Sequence, residues 1–251
     1  MTKNFAHRGY SGKYPENTML AFEKAIEAGC DGIELDVHLS KDGELVIIHD
    51  EELDRTTDGT GLVGSYTLAE LKSFDASAAF AGIYGKNEIP TLREYFGLVK
   101  DTNIITNIEL KTGVYTYPGI EEKALSMIDE FDLRSKIIIS SFNHYSVTHF
   151  KELAPDMKCG FLTESWFIDM PAYTRKYGME YVHPIFNAVT EDFVRQAAEN
   201  GIGINTWTVN TREDMLDMLR KGVNSIIGNE PELARKVIEE YQAELEDQSR
   251  R

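Results

Sequence analysis

Residues 137–162, IIISSFNHYSVTHFKELAPDMKCGFL, contain one complete strand–helix–strand unit. The apolar run over 137–140 is typical of a buried strand, apolar residues at helical spacing predict a helix over 144–153, and residues 158–162 again resemble a strand. Two strands joined through a helix in this way are expected to be parallel neighbours in one sheet.

The same alternation continues in both directions along the chain. Further strands are predicted over 3–6, 104–110, 181–183, 203–209 and 225–227, and further helices over 19–28, 91–100, 120–131, 169–177, 191–200, 212–221 and 231–246. With two strands inside 34–50, the total is nine strands and eight helices. A parallel sheet of this size is predicted to close into a barrel, and residues 1–251 are expected to form a single domain, because this length is usual for an α/β barrel.

Residues 34–50, ELDVHLSKDGELVIIHD, carry two of the nine strands around a Ser-Lys-Asp-Gly turn. The link is too short for a helical crossover, so the pair forms either a hairpin or an extended crossover. After His49-Asp50 the pattern weakens through residues 51–89, apart from a short helix predicted over 68–74. An insertion of this length in a compact domain is typical of a lid or a substrate-binding cap.

The composition excludes some classes of partner. A formal net charge of −16 disfavours a nucleic-acid or anionic-membrane surface. Cys30 and Cys159 have no metal-like spacing and are interpreted as buried small hydrophobes in a reducing compartment. The N-terminus lacks the apolar run of a secretory signal, and no segment approaches membrane-spanning length, so a cytoplasmic protein without stable membrane association is expected. The sequence is compatible with an oligomer.

Acidic residues at two strand ends suggest a metal site. Glu34 and Asp36 are two residues apart on a strand and therefore point to the same side, and Glu109 stands at the end of another strand. An acidic pair on a strand is more often a solvated surface feature. Three carboxylates at the predicted mouth of a barrel instead favour one hard divalent cation, Mg²⁺ or Ca²⁺.

Basic and titratable side chains accompany these carboxylates. Arg8 and Lys111 are the natural partners for a phosphate group, and a role as counter-ions to the carboxylates is compatible with that role. His7 and His49 stand at two separate strand ends, where a pair of imidazoles can act as general acid and general base. The sequence alone would also allow either histidine to be structural.

Other residues near strand ends are weaker candidates. Phe142 and Trp207 are placed to form an apolar wall for the non-phosphate part of a substrate, although aromatic residues there are more often core. His183 precedes a proline at a strand end and either lines the mouth or is buried. His38 is expected to face away from Asp36.

Several motifs together resemble the glycerophosphodiester phosphodiesterase family. In chain order they are His7-Arg8-Gly9, Pro15-Glu16-Asn17-Thr18, Glu34-Leu35-Asp36-Val37, Lys41-Asp42-Gly43, Val46 to Asp50, Ile89-Pro90-Thr91-Leu92, Glu109-Leu110-Lys111, Ser141-Phe142 and Trp207-Thr208-Val209-Asn210. The resemblance implies a TIM-type (β/α)8 barrel with a small insertion after His49-Asp50. It also implies hydrolysis of glycerophosphodiesters, as small-molecule substrates, to glycerol 3-phosphate and an alcohol.

The resemblance also assigns roles to the candidate residues. By position, Glu34, Asp36 and Glu109 correspond to ligands of one Mg²⁺ or Ca²⁺. His7 and His49 correspond to the acid/base pair, Arg8 and Lys111 to phosphate contacts, and Phe142 and Trp207 to the substrate pocket.

The family pattern leaves some features open and is not matched everywhere. Either water or the glycerol 2-hydroxyl can be the first nucleophile. One departure is Ile226-Ile227-Gly228-Asn229, where the family usually carries a Thr-Asp pair. That segment is expected to be peripheral to the metal and to affect local packing or pocket shape. The alternatives are a related phospholipase acting on lipid head groups and a non-catalytic barrel that binds phosphoesters.

Overall fold

A computed structural model describes residues 1–80 and 82–250 of the chain. Within those residues it contains nine strands, which are β1 (Lys3–His7), β2 (Gly32–Leu39), β3 (Leu45–Ile47), β4 (Ile105–Leu110), β5 (Ile137–Ser141), β6 (Lys158–Thr163), β7 (Tyr181–Pro184), β8 (Gly203–Thr206) and β9 (Ser225–Gly228). All except β3 pair in parallel, in the order β1-β2-β4-β5-β6-β7-β8-β9, and β9 pairs with β1. The strands therefore close into the predicted eight-stranded TIM-type barrel, which is confirmed.

The helices surround this barrel. They are α1 (Met19–Glu27), α2 (Leu68–Leu71), α3 (Leu92–Val99), α4 (Ile120–Glu130), α5 (His144–Leu153), α6 (Met170–Lys176), α7 (Glu191–Asn200), α8 (Arg212–Lys221) and α9 (Pro231–Arg250). Threonine side chains accept a backbone N–H at the first turn of several of them, including Thr18, Thr91, Thr190 and Thr211. Such caps satisfy N–H groups that have no partner inside the helix and so fix where each helix begins.

The strand pair within residues 34–50 is a hairpin. β3 runs antiparallel to β2, with Val37 opposite Ile47 and Leu39 opposite Leu45. β1 pairs with β2 only as far as Glu34, so β3 continues the same edge of β2 beyond the point where β1 ends. The chain thereby returns towards Asp36, whose carbonyl accepts the N–H of Ile48 at 3.1 Å. The hairpin thus brings the residue after Ile48, His49, to the mouth of the barrel.

The segment after His49-Asp50 has its own small apolar cluster. Its buried members are Val46, Ile48, Leu53, Val63, Leu71, Ala76 and Ile89. The helix predicted over 68–74 is shorter than expected. It begins at a capping box between Thr67 and Glu70 and ends after Leu71. A four-residue helix makes few hydrogen bonds of its own, so packing of these apolar side chains holds the segment in place.

Alternation along the strands separates two environments. Outward-facing residues such as Leu35 and Ile139 pack against the helices in the main core, together with Phe22 and Phe96. Inside the barrel a much smaller cluster forms around Phe5, Ile138 and Ile227. The remaining inward positions towards the carboxyl ends of the strands are therefore available to polar side chains.

Two further predicted boundaries were wrong. The strand predicted over 203–209 ends at Thr206. Beyond it, Trp207 makes only an isolated bridge to Ile185, and the N–H of Val209 donates to the carbonyl of Ile227. The last helix extends past residue 246 to Arg250, in a sequence rich in good helix formers that has no glycine or proline to stop it.

Among the described residues, no helix is both long and apolar enough to cross a bilayer. Cys30 and Cys159 are both buried, as predicted.

Candidate active site

Three carboxylates converge at the carboxyl ends of two neighbouring strands. Glu34 and Asp36 share one face of β2, and Glu109 on β4 lies opposite Asp36 in the ladder. One oxygen of each lies within 4.8 Å of the others. Their exposed fractions are only 5%, 0% and 7%, so the three charges are concentrated in a space that water scarcely reaches. The structure thus brings together all three predicted ligands.

Burial and mutual repulsion disfavour three negative charges in this position. Burial and the charges of Asp36 and Glu109 raise the pKa of Glu34 well above its usual value, and burial and Asp36 likewise raise that of Glu109. Burial alone would raise the pKa of Asp36 too, but the positive charges beside it, above all Arg8, hold it below its usual value. A cation among the three oxygens would stabilise the fully ionised cluster.

Arg8 is positioned by the turn that follows β1. Its own φ is +55° and that of Gly9 is +77°. A Cβ on Gly9 would meet the backbone of Ala21 in α1 at 2.7 Å, so this turn needs glycine in order to pack on the helix. The Arg8 guanidinium donates to Glu16 at 2.9 Å, and its Nε lies 3.4 Å from Asp36 Oδ2. Arg8 is therefore fixed beside the carboxylates.

Lys111 links the carboxylates to one of the histidines. Its Nζ donates to Glu109 Oε1 at 3.0 Å, lies 3.8 Å from Asp36 Oδ1 and lies 3.2 Å from His49 Nε2. Burial alone would lower the pKa of Lys111, but Glu109 and Asp36 raise it, so the ammonium is maintained. The positive charge that was predicted to contact phosphate is thus also a counter-ion to the cluster.

His49 is held by a carboxylate that is itself held by the insertion. Its Nδ1 lies 2.5 Å from Asp50 Oδ1, and since an ionised carboxylate can only accept, Nδ1 carries the hydrogen and Nε2 faces Lys111. Arg55 donates to both oxygens of Asp50, at 2.6 and 2.9 Å, and to both oxygens of Glu16, at 2.9 and 2.8 Å. The Arg55 guanidinium therefore orients both Asp50, which contacts His49, and Glu16, which contacts Arg8.

His7 has a different kind of partner. Its Nδ1 lies 2.7 Å from the amide oxygen of Asn229, and its Nε2 lies 3.9 Å from Glu34 Oε2. Burial and the charge of Arg8 lower the pKa of His7 to about 4. Residues 226–229 were expected to be peripheral to the metal and to affect local packing or pocket shape. Closing the barrel places the end of β9 beside β1, so that Ile227 lines the cavity and Asn229 contacts this imidazole.

A cavity of about 350 Å³ joins these groups to the two predicted aromatic residues. Phe142 and Trp207 both line it, with ring centroids 5.6 Å apart and planes at 87°. The indole N–H of Trp207 donates to the carbonyl of His183 at 2.9 Å, which fixes the indole. The side chain of His183 is fully buried and its Nε2 lies 3.5 Å from the Asn205 amide, so it belongs to the barrel interior and not to the mouth.

The expectation for His38 was wrong. Side chains two residues apart on a strand share a face, so His38 stays on the side of Asp36. Its Nδ1 lies 2.9 Å from the hydroxyl of Tyr117, and its Nε2 lies 3.1 Å from the carbonyl of His49. This buried histidine therefore holds the backbone of the residue that carries the second imidazole.

Several residues of the site were not predicted from the sequence. Besides Glu16, Asp50, Arg55 and Asn229, they include Asn17, which donates to Asp36 Oδ2 at 2.9 Å. Asn107 lines the cavity with 1% exposure, and neither atom of its amide has a partner within the described chain. Asn107 stands two positions before Glu109 and so shares its face of the strand. The alternation of side chains along a strand could therefore have predicted that Asn107 lies in the site.

Comparisons with known proteins identify a family for this chain. The model of the glycerophosphoryl diester phosphodiesterase family matches residues 7–233. The chain is 44% identical over 227 residues to the glycerophosphodiester phosphodiesterase of Caldanaerobacter subterraneus subsp. tengcongensis, covering 90% of this chain and 93% of that protein. It is 43% identical over 243 residues to that of Bacillus altitudinis, covering 96% and 99%.

A solved structure also resembles this chain in fold. A phosphodiesterase from Oleispira antarctica, solved in complex with the product sn-glycerol-3-phosphate, superposes with a TM-score of 0.87 at 28% identity and covers 95% of this chain and 97% of that one.

Proposed function

The chain belongs to the glycerophosphoryl diester phosphodiesterase family and is a phosphodiesterase, and we propose that it hydrolyses glycerophosphodiesters to glycerol 3-phosphate and an alcohol at the mouth of its barrel. The observation that carries this proposal is one cavity lined by two basic side chains, two imidazoles and two carboxylates of the buried cluster of three. The product complex of the Oleispira antarctica relative supports it, because that molecule contains the glycerol phosphate half of such a diester.

We propose that Glu34, Asp36 and Glu109 hold one divalent ion, Mg²⁺ or Ca²⁺. Carboxylate oxygens are the donors that both ions prefer. Asp36 Oδ1 is buried and has no hydrogen-bond partner among the described residues, which fits an oxygen reserved for a cation. When bound, such an ion would draw negative charge from the phosphoryl oxygens.

Arg8 and Lys111 orient the phosphodiester in this proposal. The guanidinium offers a planar fork that matches two phosphate oxygens, and the ammonium adds a point charge where negative charge develops. Both are already fixed by carboxylates, so little reorganisation is needed when the substrate arrives. In a chain with a net charge of −16, these local charges also counter the long-range repulsion of an anionic substrate.

His7 and His49 transfer the protons. One imidazole removes a proton from the attacking oxygen as that oxygen bonds to phosphorus, and the other gives a proton to the alcohol oxygen as its bond to phosphorus breaks. The attacking oxygen belongs either to water or to the glycerol 2-hydroxyl, which would form a cyclic phosphate for water to open. A diester without that hydroxyl distinguishes the two routes, since normal turnover would exclude the cyclic one.

The experiment that tests the function is release of glycerol 3-phosphate from a panel of diesters such as glycerophosphocholine. We expect activity that EDTA abolishes and that Mg²⁺ or Ca²⁺ restores. For substitutions of charged residues at the mouth, Glu152→Gln is a suitable control variant. Glu152 is an exposed residue in the last turn of α5, away from the mouth. Full activity in EDTA would refute the metal assignment, and no release from any diester with either ion would refute the function.

We further propose that residues 51–89 act as a small insertion within the single domain and complete the site. The support comes from Arg55, whose four hydrogen bonds reach Asp50 and Glu16. Deleting the insertion is expected to impair catalysis and substrate handling more than metal binding, which isothermal calorimetry with Mg²⁺ or Ca²⁺ would measure.

A phospholipase-type activity on lipid head groups is a second candidate. It is favoured by the exposed apolar side chains of Trp166, Phe167 and Ile168 in the loop after β6, with exposed fractions of 66%, 53% and 84%. Turnover of lysophosphatidylcholine well above that of glycerophosphocholine would establish it, and turnover of the soluble diester alone would exclude it.

A further inference from the structure

One carboxylate in the cavity lies outside the predicted metal cluster. Glu164 follows β6 and lines the same cavity as Arg8 and Glu34. Its side chain is exposed, and within residues 1–80 and 82–250 it has no hydrogen-bond or ion-pair partner. Among the described residues, no group therefore pairs with its carboxylate.

The position of Glu164 in the barrel separates it from the phosphate contacts. In the closed order of eight strands, β6 is four strands away from β1 in either direction, so Glu164 lies across the mouth from Arg8. Phe142 and Trp207 follow the strands β5 and β8, and both line the cavity along with Glu164. The carboxylate cluster and its two basic partners thus lie at one side of the cavity, and the Glu164 carboxylate and two aromatic rings lie at the other.

This second side is unfavourable for a substrate that carries only a phosphate charge. Arg8 and Lys111 line the first side, where they are placed to contact the phosphate. Glu164 then repels the phosphate and has no charge to balance it. A substrate with a positive group on its alcohol removes that imbalance, and aromatic side chains also attract cations.

We propose that Glu164 selects diesters whose alcohol carries a positively charged amino or ammonium group. This inference rests on the proposed function. The glycerol half of the substrate has only hydroxyl groups, so the cation that Glu164 attracts must belong to the alcohol that leaves. Glu164 is accordingly a residue that determines specificity, and the phosphate and the leaving alcohol occupy opposite sides of the cavity.

The test compares wild-type protein with Glu164→Gln, using Glu152→Gln as a control that removes the same charge far from the mouth. The substrates are glycerophosphocholine and glycerophosphoethanolamine, which have cationic alcohols, and glycerophosphoglycerol, whose alcohol is neutral. Because the pair is solvent-exposed, we expect Glu164→Gln to lower kcat/KM for the cationic pair by about fivefold. For glycerophosphoglycerol we expect a small rise in kcat/KM, because the variant removes a charge that repels the phosphate while glutamine still accepts hydrogen bonds from hydroxyl groups.

A second variant and salt sharpen the result. Glu164→Lys should lower kcat/KM for the cationic diesters further and raise it for glycerophosphoglycerol, and added salt should shrink the effect of Glu164→Gln. Equal effects of Glu164→Gln on all three substrates, or none on the cationic pair, would overturn the inference. If wild-type protein with Mg²⁺ or Ca²⁺ released no glycerol 3-phosphate from any of them, the proposed function itself would fail, and the inference with it.

Discussion

Replacing Asp50 by asparagine should show how far catalysis depends on the orientation of His49, because the imidazole itself is kept. Asp50 Oδ1 accepts from His49 Nδ1 at 2.5 Å and from Arg55 at 2.9 Å, and Oδ2 accepts from Arg55 at 2.6 Å. Asparagine keeps the shape of the side chain but has a single acceptor and no charge. In either orientation of the amide, at least one donor of Arg55 then faces an NH₂ group.

The expected loss follows from what this carboxylate does. A charged partner stabilises the imidazolium that forms during proton transfer and holds the ring in one tautomer. General acid or base catalysis is worth about 10²- to 10⁴-fold in rate, and Asp50→Asn leaves the imidazole in place, so a fall in kcat of about 100-fold is expected, at the low end of that range. Arg55→Lys keeps a positive charge but cannot make four hydrogen bonds, and about tenfold is expected there.

Stability should change much less than activity. The side chains of Asp50 and Arg55 are 28% and 46% exposed, so their ion pair contributes about 1 kcal/mol or less to folding. For a chain of this length that corresponds to a change in Tm of about 2–4 °C. A fall in kcat at nearly constant Tm would therefore show a local effect on the site.

The assay is the rate of glycerol 3-phosphate release at saturating diester, measured for Asp50→Asn, His49→Ala and the double variant. If Asp50 acts through His49, the double variant should be no slower than His49→Ala alone. A kcat for Asp50→Asn within threefold of wild type would refute the reasoning. So would a double variant whose loss is the product of the two single losses.

Three further predictions concern the other histidines and the insertion. His7→Ala should lower kcat by about 10²- to 10⁴-fold at unchanged Tm in the same assay, and near wild-type turnover would remove His7 from the mechanism. Gly160→Ala should lower the free energy of unfolding by about 1–3 kcal/mol in urea titrations, because a Cβ there would meet the buried ring of His183 at 2.4 Å. Unchanged stability would contradict that packing. Leu53→Ala, at a fully buried position in the cluster of the insertion, should cost about 2–5 kcal/mol and expose residues 51–89 to limited proteolysis. Resistance equal to wild type would show that this cluster does not hold the segment.

The sequence predicted those parts of the site that depend on a single strand. Glu34 and Asp36, like Glu109 and Lys111, are two positions apart, and that spacing alone places each pair on one face. The closed barrel could also be predicted from the sequence, because it depends on the alternation of strands and helices, which is a local pattern repeated along the chain. Burial of His183 was not decidable, since it depends on the missing side chain of Gly160 on the neighbouring strand.

The missed residues depend on contacts between distant segments. Asn229 reaches His7 only because the last strand pairs with the first, which no local pattern records. Arg55 reaches Glu16 across 39 positions of the chain, from an insertion whose own pattern is weak. A positive φ at Asn17 turns its amide towards Asp36, and backbone conformations of this kind are hard to read for any residue other than glycine.

The two imidazoles are unequal, because their sequence neighbours, Arg8 and Asp50, and their distant contacts both differ. His49 is backed by a carboxylate that Arg55 holds in place, whereas His7 is backed by the neutral amide of Asn229 and lies beside Arg8. A carboxylate stabilises a charged imidazolium, while an amide oxygen orients the ring with far less electrostatic effect. The barrel therefore supplies the same type of group twice in two electrostatic environments, with Asp50 and Arg55 around His49 and with Asn229 and Arg8 around His7.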